Sequence, residues 1–229
     1  MSVSGITVTD GGDVWVCALN GIYVFRSEGA GYKHIKHIIS IDGVEIVSPL
    51  QSAQDTAGNI WVATYGSGVV CIRGDKAERY STENGFYTDK VLCVSVFDGL
   101  VWFGTQDTGL LRYGPDGFSH VAVTGKRPVW AVTTDHAGGV FTGVDLGELW
   151  LIKNNVKYTI TGTEESQTVA THALYFDTTW QLLWAGSDNG LEQVTKSPVS
   201  GTWKRYRLNR QDGFKPVSVC HHGLIKAGD

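Results

Sequence analysis

Long helix-forming side chains and clustered charge are both scarce in this chain. There is one methionine in 229 residues, and charged residues make up only 18%, which argues against a helical bundle. No apolar run approaches the roughly 18 residues that cross a bilayer as a helix, so no direct membrane insertion is expected. The N-terminal stretch Met1-Ser2-Val3-Ser4-Gly5 has neither a basic nor an apolar leader segment, and the chain as it stands reads as soluble. Net charge is −4, and the one cationic cluster is Lys204-Arg205-Tyr206-Arg207. Duplex binding needs several phosphate-neutralising cations on one face, so nucleic acid is not an expected partner. The four cysteines, Cys17, Cys71, Cys93 and Cys220, form no C-x-x-C pair of the kind that metal ribbons and redox centres use. Each lies in an apolar, strand-like run, where a thiol packs as a small hydrophobe. There is no nucleophile elbow, no H-E-x-x-H and no phosphate loop. No cofactor and no catalytic residue is assigned, and an enzyme is the less favoured reading.

What the chain does have is glycine and aromatics: 29 Gly, 8 Trp, 9 Tyr and 8 Phe. That mixture suits an all-β protein with many tight turns. One pattern recurs along it: an apolar strand ending near Asp, a glycine turn, an aromatic-bearing strand, then Gly and another strand. Its copies run through Asp10, Gly12 and Trp15; Asp55, Gly58 and Trp61; Asp98, Gly99 and Trp102; Asp135, Gly138 and Phe141; and Asp177 and Trp184. The aromatic positions follow one another at 46, 41, 39 and 43 residues, the length of a propeller blade of four short strands. Such a sheet cannot bury both faces alone, but several stacked around an axis can. The recurrent ring is therefore read as packing between blades. Asp42-Gly43, Asn84-Gly85 and Asp212-Gly213 read as turns that carry the chain from one blade to the next.

The segments Asp55-Thr56-Ala57-Gly58-Asn59-Ile60-Trp61-Val62-Ala63-Thr64-Tyr65-Gly66-Ser67-Gly68-Val69 and Leu100-Val101-Trp102-Phe103-Gly104-Thr105 resemble two-component regulator propeller repeats. The resemblance covers nearly the whole chain, strongest in the second and third copies and weakest in the fourth. It implies a sensor-type propeller, often extracytoplasmic and joined to a kinase or cyclase; free cysteines and the absence of a signal peptide leave the cytoplasm open as well. The expected organisation is a single β-propeller domain over 1–229, with repeats at 3–42, 43–88, 89–126, 127–170 and 171–214 and a half repeat at 215–229. In that last piece, 217–228 mirrors 94–104 apart from one inserted residue. Three closures remain open: a six-position ring with a thin last blade, part of a longer propeller completed by another chain or further sequence, or five blades alone.

With four strands A to D per blade from the axis outward, the B–C loops and D–A connections should meet at one mouth of the channel. The expected ligand-binding residues there are Tyr65, Ser67, Gln106, Asp107, Arg127, Asp145, His172, Asp188 and Asn189. Asn20, Glu45, Asp89, Lys90, Lys126 and Lys215 flank them. Carboxamides and carboxylates beside an aromatic suit a small polar ligand, a glycan or a docking protein. His172 is the residue to watch as an acid or base, which keeps a propeller lyase or hydrolase as the alternative. A lectin with one pocket per blade is disfavoured by the divergence of the B–C loops. His34 and His37, three apart in an outer strand, should point to opposite faces because strand periodicity is two. His221-His222, being adjacent, should likewise diverge.

Overall fold

A computed structural model describes residues 2–161, 169–197, 201–208 and 210–213. The half repeat expected at 215–229, with Lys215, Cys220 and His221-His222, lies outside the described residues. The chain divides into two compact units, residues 1–120 and 121–229.

Unit 1 holds three antiparallel four-stranded sheets. The first is β1 (Val3–Val8), β2 (Val14–Ala18), β3 (Gly21–Glu28) and β4 (Gly31–Ile38). A short hairpin, β5 (Ser40–Ile41) and β6 (Val44–Glu45), leads into β7 (Pro49–Gln54), β8 (Ile60–Thr64), β9 (Val69–Arg73) and β10 (Lys76–Tyr80). The third sheet is β11 (Val91–Phe97), β12 (Leu100–Thr105), β13 (Leu110–Gly114) and β14 (Gly117–His120). Unit 2 holds β15 (Val129–Thr134), β16 (Gly139–Val144), β17 (Leu149–Lys153) and β18 (Val156–Ile160), then β19 (Thr171–Asp177), β20 (Leu182–Ser187), β21 (Gly190–Lys196) and β22 (Trp203–Arg207). In every sheet the strands pair in chain order, so each repeat is one up-and-down blade, and the strands within it are A to D.

The repeat's Asp earns its place through its hydrogen bonds. Asp55 Oδ1 accepts from the backbone N–H of Ala57 and Asn59 at 3.0 and 2.9 Å, and Oδ2 accepts from Asn59 Nδ2 and Trp61 Nε1 at 2.9 and 2.8 Å. One carboxylate thus shapes the A–B turn and fixes the indole of strand B. Asp135 does the same for the N–H of Ala137 and Gly139, and Asp177 for Thr179 and Trp180. All five recurrent aromatics sit in their blade's second strand. Trp15 packs against the apolar cluster shared by the first and second blades, and Trp61, fully buried, lies in the cluster of the second and third. Phe141 packs with Phe176, Leu183 and Ala185 of the fifth. In each case the ring covers the face of the following sheet.

Neighbouring A strands approach closely within each unit. Ser4 Oγ donates to Pro49 O at 2.7 Å, and Val94 N–H donates to Gln51 Oε1 at 2.9 Å. A Cβ on Gly143 would sit 2.5 Å from Thr171 O, so only glycine lets β16 and β19 pass there. Asp42-Gly43 and Asn84-Gly85 do form turns, with Asp42, Gly43 and Gly85 at φ 51°, 78° and 87°. Cys17, Cys71 and Cys93 are buried thiols that form no disulfide with one another. Burial pushes their thiols up to about 12, about 11 and about 12.

The expected divergence of His34 and His37 does not occur. Val24 pairs with Lys36 but Phe25 pairs with His34, so Ile35 is an extra, bulged residue in β4. The bulge resets the alternation. His37 stacks on Tyr23 with ring centroids 4.0 Å apart, and His34 lies 5.4 Å from Phe25 and 5.7 Å from Tyr23, all on one face.

Two outcomes follow. Although burial alone would raise it, the Asp55 pKa is held below the ordinary carboxylate value by the bonds from Trp61, Asn59 and Ala57, so its contribution is present above the unfolded pKa and fades as pH falls through the folded one. Asp55→Ala should cost about 2 kcal/mol near neutrality, and urea unfolding should show the gap from wild type narrowing toward acid pH. In a Cys220→Ser background, a thiol reagent should modify Cys17, Cys71 and Cys93 only as fast as the protein unfolds.

Candidate functional site

One irregularity recurs at the same place in all five blades. Near the start of strand A the pairing with strand B slips by one residue, leaving Ser4, Leu50, Leu92, Trp130 and His172 as bulged residues. A bulge bends its strand and re-aims a side chain. Each stands at the end of the sheet where the B–C loop turns. In unit 1 the bulged side chains are small or aliphatic; in unit 2 they are an indole and an imidazole. Trp130 and His172 meet edge to face, with ring centroids 5.4 Å apart.

The B–C loop is stitched to the start of strand A in the same way from blade to blade, with changing chemistry. In the second blade Tyr65 N–H donates to Ser48 O at 3.1 Å. In the third, Thr88 Oγ1 donates to Asp107 Oδ1 at 2.7 Å and Gln106 N–H to Lys90 O at 3.0 Å. In the fourth, Arg127 forks onto Asp145 at 2.6 and 2.8 Å and reaches Glu148 at 3.4 Å. In the fifth, His172 Nε2 lies 3.3 Å from Asp188 Oδ2. Four of the residues expected from the sequence are therefore brought together in two pairs, Arg127 with Asp145 and His172 with Asp188, while Asp107 is held by Thr88. Tyr65 is exposed and bridges to Lys90. Ser67 is buried, while Asn189 is exposed and its N–H donates to Ser187 Oγ at 3.2 Å. Asn20 instead serves the outer face of the first blade, donating to Tyr23 Oη and accepting from His37.

Unit 2 has the densest polar chemistry. Burial disfavours the Arg127 charge, but the Asp145 and Glu148 carboxylates outweigh that and raise its pKa above the ordinary arginine value. Its guanidinium lies 5.5 Å from the Trp150 ring centroid, and Trp150 Nε1 donates to Glu148 Oε2 at 2.8 Å. The turn after β16 is held from its other side too: Arg205, which pairs with the buried Glu192, also donates to Gly147 O. Arg207 reaches Glu192 at 3.4 Å. Between these anchors Leu146 takes a left-handed φ of 55° with an exposed side chain. His172 is 6% exposed whereas the Asp188 side chain is 63% exposed, so a buried ring is joined to solvent through a carboxylate. Among the described residues no group of three metal-ligating side chains converges, and no helix is long and apolar enough to cross a membrane.

The sequence did not point to Trp130, Thr88, Glu148 or the Glu192 cluster. Trp130 is marked out by the slipped register of its strand.

No family model and no curated protein matches the sequence. Solved structures do. The extracellular domain of the candidate one-component system BT4673 from B. thetaiotaomicron superposes with a TM-score of 0.74 at 15% identity, over 97% of this chain and 29% of that one. The extracellular domain of the candidate hybrid two-component system BT3049 from the same organism gives 0.69 at 19%, over 88% and 29%. The fold is a β-propeller. A lyase is similar as well: virginiamycin B lyase from Staphylococcus aureus, TM-score 0.66 at 15% identity, over 92% of this chain and 71% of that one. The chain spans less than a third of the length of the two sensor-system propellers.

Removing the Glu192 carboxylate would leave two arginines facing each other in a largely buried space. Glu192→Gln should cost about 3 kcal/mol in urea unfolding. A Glu192→Met/Arg205→Met pair should lose less than the sum of its single variants, because the two side chains are coupled.

Proposed function

We propose that this propeller is a ligand-sensing or recognition domain that binds a small polar molecule, with a sugar as the first candidate, at the loop end of unit 2. The observation that carries this reading is the bulged pair Trp130 and His172. At a position that unit 1 fills with serine and leucines, unit 2 has a half-buried indole packed edge to face with a buried imidazole, with Asp188, Asn189, Arg127 and Asp145 supplied by the adjoining turns. Aromatic surface with a few fixed hydrogen-bonding groups is what a polar, ring-shaped ligand needs. The changing pairs from blade to blade disfavour a set of equal pockets. Likeness to extracellular domains of sensor systems supports the sensing role. In unit 1, Tyr65, Gln106 and Asp107 are the residues through which a ligand or a docking protein would be read.

A second reading has its own support. An imidazole beside a carboxylate is the geometry of an oriented general base, and His172–Asp188 is such a pair on a fold shared with a lyase. Loss of turnover, not of binding, on His172→Gln would favour it.

The test is a thermal-shift screen of sugars and small polar metabolites. A ligand at 100 times its Kd stabilises the native state by about 2.7 kcal/mol. Asp188→Asn and Asn189→Ala should abolish that shift while changing the unliganded Tm little, because both side chains are exposed. If the shift survives both changes, the proposed location is wrong; if no compound of any class shifts the Tm, the small-ligand reading gives way to protein docking.

A further inference from the structure

A cavity of about 590 Å³ lies in unit 1, between the β5–β6 hairpin and the outer strand of the second blade. Gly43, Val44 and Glu45 line one side and Ala77, Glu78 and Arg79 the other, with Asn84 at one end. Strand β10 is the last strand of its sheet, so one side of its backbone faces this space. The register across the two-residue Gly74-Asp75 turn runs from Lys76↔Arg73 to Tyr80↔Val69. In an antiparallel pair the bonded residues alternate. Lys76, Glu78 and Tyr80 therefore direct their N–H and C=O groups to β9, and Ala77 and Arg79 direct theirs outward. Asn84 Nδ2 takes up Arg79 O at 2.5 Å. The Ala77 N–H and C=O and the Arg79 N–H are left at the open edge. In the facing hairpin Ile41 pairs with Val44 across a two-residue turn and Ser40 with Glu45, which turns the Glu45 backbone away from β5 by the same alternation.

The charges around the cavity are not balanced. Glu78 is matched by Arg73 at 2.9 Å and by the Tyr80 hydroxyl at 2.6 Å, and Arg79 is matched by Glu83 at 2.9 Å. Glu45 is exposed and has no ion pair among the described residues. Val44 and Ala77, both partly buried against the apolar cluster below, give the space a small apolar floor.

We propose that this slot takes an extended peptide segment carrying a basic side chain, added to β10 as a further strand. The Ala77 and Arg79 backbone supplies the main-chain bonds of strand addition. Glu45 receives the lysine or arginine, and the apolar floor accepts the small or β-branched side chains that alternate with it. It shares no lining residue with the unit 2 loops, so it stands or falls independently of the ligand-sensing reading.

Fluorescence anisotropy with a labelled peptide of about seven residues, alternating valine and lysine, tests this on the intact chain. Saturable binding is expected, weakened at least about tenfold when glutamate replaces lysine or when alternate amides are N-methylated. Ala77→Pro removes an edge N–H that no β9 residue uses and is tolerated on an edge strand; it should weaken binding by about tenfold with an unchanged circular dichroism spectrum. Glu45→Lys, a surface change that leaves folding intact, should weaken it about as much and flatten the salt dependence. Backbone amide resonances of Ala77 and Arg79 should shift on titration. Binding that ignores both substitutions, competition by lysine amide as strong as by the peptide, or no saturable binding would each overturn the proposal.

Discussion

A four-stranded sheet has two faces and covers neither by itself, and everything else in this molecule answers to that. The ring in strand B is the piece that makes the next sheet's face fit. Trp61 is fully buried among Ala63, Val69, Val101 and Phe103, with Phe103 at 5.7 Å edge-on and Tyr113 at 4.7 Å. An aromatic side chain buries 150–250 Å², at about 25 cal/mol per Å², so one such ring rivals several aliphatic contacts. Its position must be held, and the Asp55 carboxylate holds it by accepting the indole N–H while it shapes the preceding turn. In the second blade, packing and turn chemistry are therefore one device.

That coupling explains what could be read from the sequence. The Asp, the glycine turn and the ring lie within about seven residues, so they leave a local pattern that survives even where Phe141 replaces tryptophan. Blade length, strand order and the onward-facing ring follow from it. The bulges leave no such trace. Trp130 and His172 are each the one extra residue in an A strand, and whether a strand slips is decided by the partner across the ladder, not by neighbours in sequence. The same cause defeated the reading of His34 and His37: a period of two holds only while the register does, and Ile35 breaks it. The contact of Arg205 with Gly147 O was hidden for another reason, since it spans 58 residues.

The turns beyond the packed faces are under a weaker constraint. Strand A and the B–C loop must be tied together at each blade, but any donor and acceptor will serve: a backbone pair at Tyr65, a hydroxyl on Asp107, a guanidinium on Asp145, an imidazole beside Asp188. A structural need that is indifferent to residue type leaves that type free to follow a ligand. This is why the informative contrast lies between blades and not within one: Leu50 and Leu92 occupy the bulge as Trp130 and His172 do, so the bulge itself does not dictate an indole or an imidazole.

The outer edge obeys a third logic. Strand D of a blade has a neighbour on one side only, and exposed edges are ordinarily blunted by charge, twist or cover. In the first blade β4 carries Lys33 and Lys36 and a bulge, all of which discourage a visiting strand. In the second, β10 is short, its Arg79 and Glu78 are tied to neighbours, and Asn84 caps one of its outward carbonyls. Those devices stop short of Ala77, where the smallest side chain of the strand meets the cavity and the unmatched Glu45. An edge protected along most of its length but open beside a complementary charge is selective in a way that a wholly bare edge would not be.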